Sequence, residues 1–262
     1  MEVPYCGLAP LPAELLGRWN FDPFLIAAMA VIAGVHAVAL RDDDRERTLL
    51  GGGAMPGGKA VRYAIAWLLL GAIFISPFCA LASSLFSARV AHHVLLIGAA
   101  APLLVLALPA PLRSLRFPVA VIGGAAFLHT VVLWFWHAPV PYAAALASHG
   151  TYWLMELSLL GSAILLWLAI LSPRASFGSV MTTLLGTVIQ MGLLGALITF
   201  ARAPLYEAHF ATTEPWGMTA LADQQLAGLI MWVPGAIPYL LAAMAIAAGS
   251  LAELERRAER AS

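Results

Sequence analysis

The chain has 262 residues, 61% of them hydrophobic and only 11% charged, with a mean hydropathy of +0.87. A soluble domain carries roughly 25% charged residues, so this composition excludes an ordinary soluble protein and indicates a membrane one. The formal net charge of zero leaves no electrostatic basis for nucleic-acid binding, and two cysteines, Cys6 and Cys79, are too few for a disulfide framework.

The opening MEVPYCGLAP lacks a basic stretch followed by an apolar one, so it does not read as a signal peptide. A membrane-spanning helix needs about 20 mostly apolar residues. Seven stretches qualify, at about 23–40, 61–82, 90–109, 117–136, 152–171, 180–201 and 225–249. Isolated apolar runs in lipid satisfy their backbone only as helices. The expected fold is therefore an all-α integral membrane protein, one transmembrane domain of about seven helices over residues 1–262. The connection RDDDRERTLLGGGAMPGGK after the first stretch, charged and then glycine-rich, reads as a flexible loop.

Lysine and arginine placement sets the orientation. With seven spans, Arg41, Arg45, Arg47, Lys59, Arg62, Arg113, Arg116, Arg174, Arg256, Arg257 and Arg260 fall on one side, and only Arg18, Arg89 and Arg202 on the other. This predicts the N-terminus outside and the C-terminus in the cytoplasm. In that topology His92, His93, His137, His149 and His209 lie at the outer ends of spans or in outer loops. Asp22, Arg89, Glu156 and Asp223 gather there too, with Cys6 and Cys79. His36 stands near the other face. Ionisable groups within a bilayer are costly and face the bundle interior. Imidazole is a common metal ligand, and sulfur suits Cu(I).

The spacing of these groups carries less. Arg89 and His93 share a helix face, whereas His92 points roughly 100° away, so the two adjacent histidines are not expected to serve one target equally. No HxxxH or CxxC occurs. Arg89 is expected to pair with Glu156 or Asp223, and His129 to donate a hydrogen bond between helices. The tryptophans fit an aromatic belt, and most methionines fit packing, with Met231 a possible sulfur donor in the outer half.

The last span opens with DQQLAGLIMWVPG, residues 223–235. Asp223 suits a helix N-terminus, where exposed N–H groups favour a carboxylate. Gln224, Gly228, Met231 and Gly235 fall on one face, with small residues that admit a neighbouring helix. Gln225 completes the polar lip. Pro234 cannot donate to Ile230, which predicts a kink.

WNFDPFLI (19–26), SPFCALASSLFSARVAHHVLL (76–96), APLLVLALP (101–109), FWHAPVPY (135–142), ITFARAPLY (198–206) and DQQLAGLIMWVPG follow in order from about residue 19 to 245. Together they resemble the CtaG-type cytochrome c oxidase assembly factors, the polytopic family linked to caa3-type oxidases. The resemblance implies a multi-pass protein of the bacterial inner membrane that acts as a chaperone for the oxidase of the respiratory chain, with oxidase subunits as partners, either delivering copper or assisting subunit maturation at the outer face. By it, His93 matches the histidine before LLL and His137 that of the WHxP block. Asp22 matches DP, and Asp223, Gln224 and Gln225 match DQQ. Two departures stand out. Arg89 occupies the place of a second family histidine, and Tyr152 and Glu156 stand near the place of others. His92 and His209 are the available replacements. The metal candidates are thus His93, His137, His92, His209 and Met231. The polar outer-mouth set is Asp22, Arg89, Glu156, Asp223, Gln224 and Gln225.

Two other function classes compete with an assembly factor. A transporter would use Gln190, Thr187 and His129 at mid-membrane and the break at Pro234, but the cytoplasmic half is poor in polar groups. A haem carrier would need facing histidines such as His93 and His137. No nucleophile–base arrangement, phosphate loop or zinc-hydrolase motif supports an enzyme.

Overall fold

Asp22 and Pro23 open the first helix, α1 (Pro23–Leu49). Asp22 Oδ1 accepts from the backbone N–H of Phe24 at 2.9 Å and of Leu25 at 3.5 Å. This is an N-cap followed by proline at the first helical position, where its missing N–H costs nothing. The computed structural model describes residues 3–49, 58–113, 115, 117–172 and 175–261, which hold helices, short turns and no strand. The glycine-rich residues 50–57 and the charges Arg116 and Arg174, used above for loop flexibility and orientation, lie outside the described residues. The charged half of the first connection is not loop, because α1 runs on through Arg41 to Leu49.

The second span is broken rather than continuous over 61–82. Helix α2 (Gly58–Phe74) gives way to α3 (Pro77–Ser84) at an angle of 48°. Pro77 has no N–H to continue α2, and the Ser76 side chain accepts from Phe78 N–H at 3.2 Å, so a new helix starts there. The third span is α4 (Phe86–Leu95), a π-helical stretch at Leu96–Ala100, and α5 (Ala101–Leu106). The wider turn of the π stretch leaves the Ile97 carbonyl to accept from the Trp167 indole at 2.9 Å. A single turn, α6 (Ala110–Arg113), precedes α7 (Val119–Trp136). The short α8 (Pro139–Ala147) leads into α9 (His149–Ile170), and α10 (Phe177–Thr199) follows. The last span is α11 (Ala220–Trp232), a turn at Pro234–Ala236, and α12 (Ile237–Ala261). Among the described residues six spans are long and apolar enough to cross a membrane, and the bent pair α2–α3, taken as one span, makes a seventh. The expected all-helical fold is what the chain adopts.

Helix packing follows the small residues. Where α10 crosses α11, a Cβ on Gly228 would stand 2.5 Å from the Gly195 carbonyl oxygen and 2.7 Å from the Thr199 nitrogen. The backbones therefore touch, as the DQQLAGLIMWVPG face implied. Gln224, Gly228, Met231 and Gly235 are all buried. His129 pairs with the Ser162 hydroxyl at 3.0 Å between α7 and α9, a helix-to-helix hydrogen bond as expected.

Residues 3–22, the starts of α3, α4 and α9, the end of α7 and the 200–225 segment gather at one end of the bundle, termed here the N-terminal end. The opposite end carries a buried ion pair, Lys59 Nζ to Asp43 Oδ2 at 2.6 Å. At the N-terminal end Cys6 and Cys79 form a disulfide across a separation of 73 residues. Neither is a free sulfur donor, which corrects their place among the soft-ligand candidates.

Candidate functional site

Helix α4 presents Arg89, His92 and His93 from adjacent turns, α9 presents Glu156, and His137 closes the C-terminal end of α7. All five are at most 2% exposed. Arg89 Nη1 meets Glu156 Oε1 at 3.1 Å. His93 Nε2 lies 3.4 Å from the same oxygen, and His92 Nε2 lies 3.4 Å from Oε2. The two adjacent histidines therefore do converge on one target. Their angular separation is real, but Glu156 sits between them and offers one oxygen to each. The rings of Phe74 and Phe78, with centroids 4.9 and 6.1 Å from that of His92, fix its orientation. Arg89 pairs with Glu156 and not with Asp223, and its guanidinium carbon stands 5.1 Å over the Tyr152 ring.

His93 Nδ1 faces His137 Nε2 at 3.3 Å. His137 Nδ1 donates to the Leu133 carbonyl at 2.7 Å, which fixes its tautomer and leaves Nε2 with a bare lone pair. A neutral His93 has one N–H. Given to Glu156, it leaves two lone pairs facing each other across 3.3 Å. Given to His137, it leaves a lone pair against a carboxylate. With Arg89 offsetting Glu156, the constellation is one N–H donor short, and a proton between the two imidazoles completes it. Orphaned atoms cluster in the same place: both His92 nitrogens, His93 Nε2, Glu156 Oε2 and Arg89 Nε have no hydrogen-bond partner. Among the described residues no three His, Cys, Asp or Glu side chains stand ready to hold a metal. What exists is a facing imidazole pair backed by a carboxylate.

A second polar set abuts this one and positions it. Asp223 does not cap its own helix, where Thr219 already accepts from Ala222 N–H. Its carboxylate instead accepts from Phe86 N–H at 2.7 Å, Ser87 N–H at 3.1 Å and the Ser87 hydroxyl. It caps α4, the helix that carries Arg89, His92 and His93. Gln224 Oε1 accepts from Leu205 N–H at 2.6 Å, and its Nε2 donates to the Ile198 carbonyl at 3.2 Å. Gln225 is half-buried and meets Thr199 only through its backbone carbonyl. The Tyr206 hydroxyl donates to the His137 carbonyl at 2.7 Å.

The remaining sequence candidates lie apart from the cluster. His209 is committed on both ring nitrogens: Nδ1 donates to the Ser84 carbonyl at 3.1 Å, and Nε2 accepts from the Tyr142 hydroxyl at 2.7 Å. Met231 is buried in the apolar core. Asp22 caps α1 and accepts from the Tyr5 hydroxyl at 2.6 Å, which holds its carboxyl below the usual range. Sequence reasoning gave no role to Tyr5, Tyr142 or Tyr206. The signal for two of them was present, since Tyr142 and Tyr206 close the FWHAPVPY and ITFARAPLY blocks.

Burial pushes the His209 imidazole down to about 4, against the raising influence of Asp223 and with the lowering influence of Arg89. Tyr142 also faces it but stays protonated throughout this range. The neutral form is native, so the unfolded chain binds the extra proton. Stability is complete above the ordinary histidine value near 6.5 and falls as pH drops from there towards 4. About 2 kcal/mol is expected to be lost between pH 7.5 and 5. Thermal unfolding in detergent across this range, compared with His209→Gln, measures it; the variant should show the weaker dependence.

A family model described as cytochrome c oxidase caa3 assembly factor matches residues 35–253. No curated relative and no solved structure matches the chain.

Proposed function

The chain belongs to the cytochrome c oxidase caa3 assembly factor family, and on that premise we propose that it passes copper, as Cu(I) cargo, towards an oxidase subunit. The observation that carries this reading is the facing pair His93 and His137, 3.3 Å apart and one N–H donor short. Neutral imidazole suits copper. His92 and Glu156 stand beside the pair with unpartnered atoms, so an ion held transiently has a neighbouring set of donors to move through. The family's assembly role implies contact with oxidase subunits, and the reading is non-catalytic.

We place the N-terminal end outside, facing the periplasm of a bacterial inner membrane. Two independent features support that. Lysine and arginine divide eleven to three in its favour, and the Cys6–Cys79 disulfide belongs to an oxidising compartment. A transporter is the weaker reading. The mid-bundle polar groups are tied to one another, His129 to Ser162 and Trp134 to Gln190, which braces helices, and only His129 Nε2 and Gln190 Nε2 of these pairs stay without a partner.

Titration of the purified protein with Cu(I) against a competing chelator tests the proposal. About one ion per chain is expected, with at least a tenfold loss of affinity in His137→Ala and in His93→Ala. A deletion strain should lose oxidase activity and oxidase-bound copper, restored by the wild-type gene and not by either variant. Unchanged copper content in the deletion strain, with no copper bound by the purified protein, would remove copper handling and leave assembly by subunit contact alone.

A further inference from the structure

Among the described residues the buried cluster has no open path. Arg89, His92, His93, His137 and Glu156 are all at most 2% exposed, so whatever reaches them does so when part of the protein moves. The cover most easily moved is the segment 3–22. It has one short 3-10 turn, Pro12–Gly17, with no buried residue. Its polar ties to the bundle include the His149 imidazole donating to the Val3 carbonyl, the Ser84 hydroxyl donating to the Pro10 carbonyl, and Asn20 donating to the Phe74 and Ile75 carbonyls. Segments with so little buried surface open first.

This segment lies directly over the site. The Tyr5 ring stacks on that of Tyr152 at 4.8 Å, and Tyr152 in turn lies beneath the Arg89 guanidinium. Tyr5 also meets Trp153 at 5.0 Å, and Trp153 stacks on Phe74, which holds His92. One covalent bond clamps the segment, the Cys6–Cys79 disulfide, with the Tyr152 hydroxyl 3.6 Å from Cys6 Sγ.

We infer that residues 3–22 form a lid over the Arg89–Glu156–histidine cluster and that the Cys6–Cys79 disulfide is its redox latch, opened by a protein dithiol. The bond is built asymmetrically. Cys6 is 8% exposed and Cys79 fully buried, so an incoming thiolate attacks Cys6. Cys79 leaves as thiolate from the third position of α3, where the helix N-terminus favours negative charge. The Asn20 amide nitrogen, 3.9 Å from its sulfur, faces the same charge. The leaving thiolate takes a proton. The second thiol of the reductant then displaces Cys6 and closes the reductant's own disulfide. Two electrons and two protons pass to the protein, and the dithiol is oxidised. Without the clamp, Tyr5 lifts from Tyr152 and the cluster is uncovered. The inference holds whether the cluster takes copper or only a proton.

The test uses the full-length protein in detergent, with dithiothreitol as the dithiol. Hydrogen exchange over residues 3–22 and diethylpyrocarbonate modification of His92 and His93 are followed by mass spectrometry. His129, fully buried at mid-bundle, serves as the protected reference. At least a tenfold rise in both rates is expected on reduction, reversed on reoxidation, with His129 and the helical circular dichroism unchanged. Cys79→Ser should show the open rates without reductant. Equal rates in the oxidised and reduced protein, reduction being verified by mass, would show a static staple and overturn the latch. So would a fall in helicity or modification of His129 on reduction, because opening would then be general unfolding. Recovery of both cysteines as free thiols from protein purified without reductant would overturn it as well.

Discussion

Replacing Glu156 with leucine is expected to destabilise the protein by about 3–5 kcal/mol, enough to remove most folded protein from the membrane. Glu156 is the partner of Arg89 and the neighbour of both adjacent histidines, and all of them are shut away from water. Two charges held together inside a protein contribute little net stability, but removing one leaves the other desolvated and unpaired. A double change separates the two effects. Arg89→Met with Glu156→Leu removes both charges and should recover most of what Glu156→Leu loses. Yield from membranes and the midpoint of thermal unfolding in detergent measure the difference. If Glu156→Leu alone unfolds like the wild type, the Arg89 charge is compensated elsewhere, and the ion pair is not what holds α4 to α9. The double variant should also bind no Cu(I) if Glu156 backs the imidazole pair, which separates folding from cargo binding in one chain.

Gly228→Val is expected to cost at least about 3 kcal/mol, the upper range for overpacking. The contacts a Cβ would make are with backbone as well as side chain: the Gly195 oxygen at 2.5 Å and the Thr199 nitrogen at 2.7 Å. Rotating Thr199 relieves its hydroxyl and nothing else, so α10 and α11 must separate. Their separation shifts Asp223, one and a half turns earlier on α11 and the cap of α4. The same substitution at Gly123 or Gly186, where nothing stands within 4 Å, should be close to neutral. Equal unfolding temperatures for the Gly228 and Gly123 variants would show that the helix crossing tolerates separation.

The spans were legible because apolar runs of that length have one solution in lipid. The break in the second span was missed because Ser76 and Pro77 lie inside an apolar run, although serine before proline is a helix-start signal in itself. Asp223 was rightly placed at a helix N-terminus, but the helix it caps belongs to a different span, 137 residues away in sequence. A single sequence shows periodicity along one helix and nothing of what faces it. For the same reason His92 and His93 read as divergent, since Glu156, the group that lets both be used, enters from α9. The Arg89–Glu156 pair was foreseeable from topology, as two unlike charges at one membrane depth. The Cys6–Cys79 bond was not, because pairing depends on where residues 3–22 fold back, and nothing in their pattern says so.

The π-helical stretch in the third span has a consequence for comparing this chain with others of its kind. One residue is accommodated there beyond what a regular α-helix would hold. The half that carries Arg89, His92 and His93 is thus indexed independently of the half anchored by the Trp167–Ile97 bond. Loss of a single residue from Leu96–Ala100 would restore an unbroken helix and leave the two halves facing much as they do, because the wide turn already absorbs the extra residue. Residues beyond the stretch would then hold the same points in space with numbers one lower. Equivalent histidines in other members must therefore be counted from the Asp223-capped start of the helix, not across its middle, or residues that occupy the same point in space will be matched to the wrong partners.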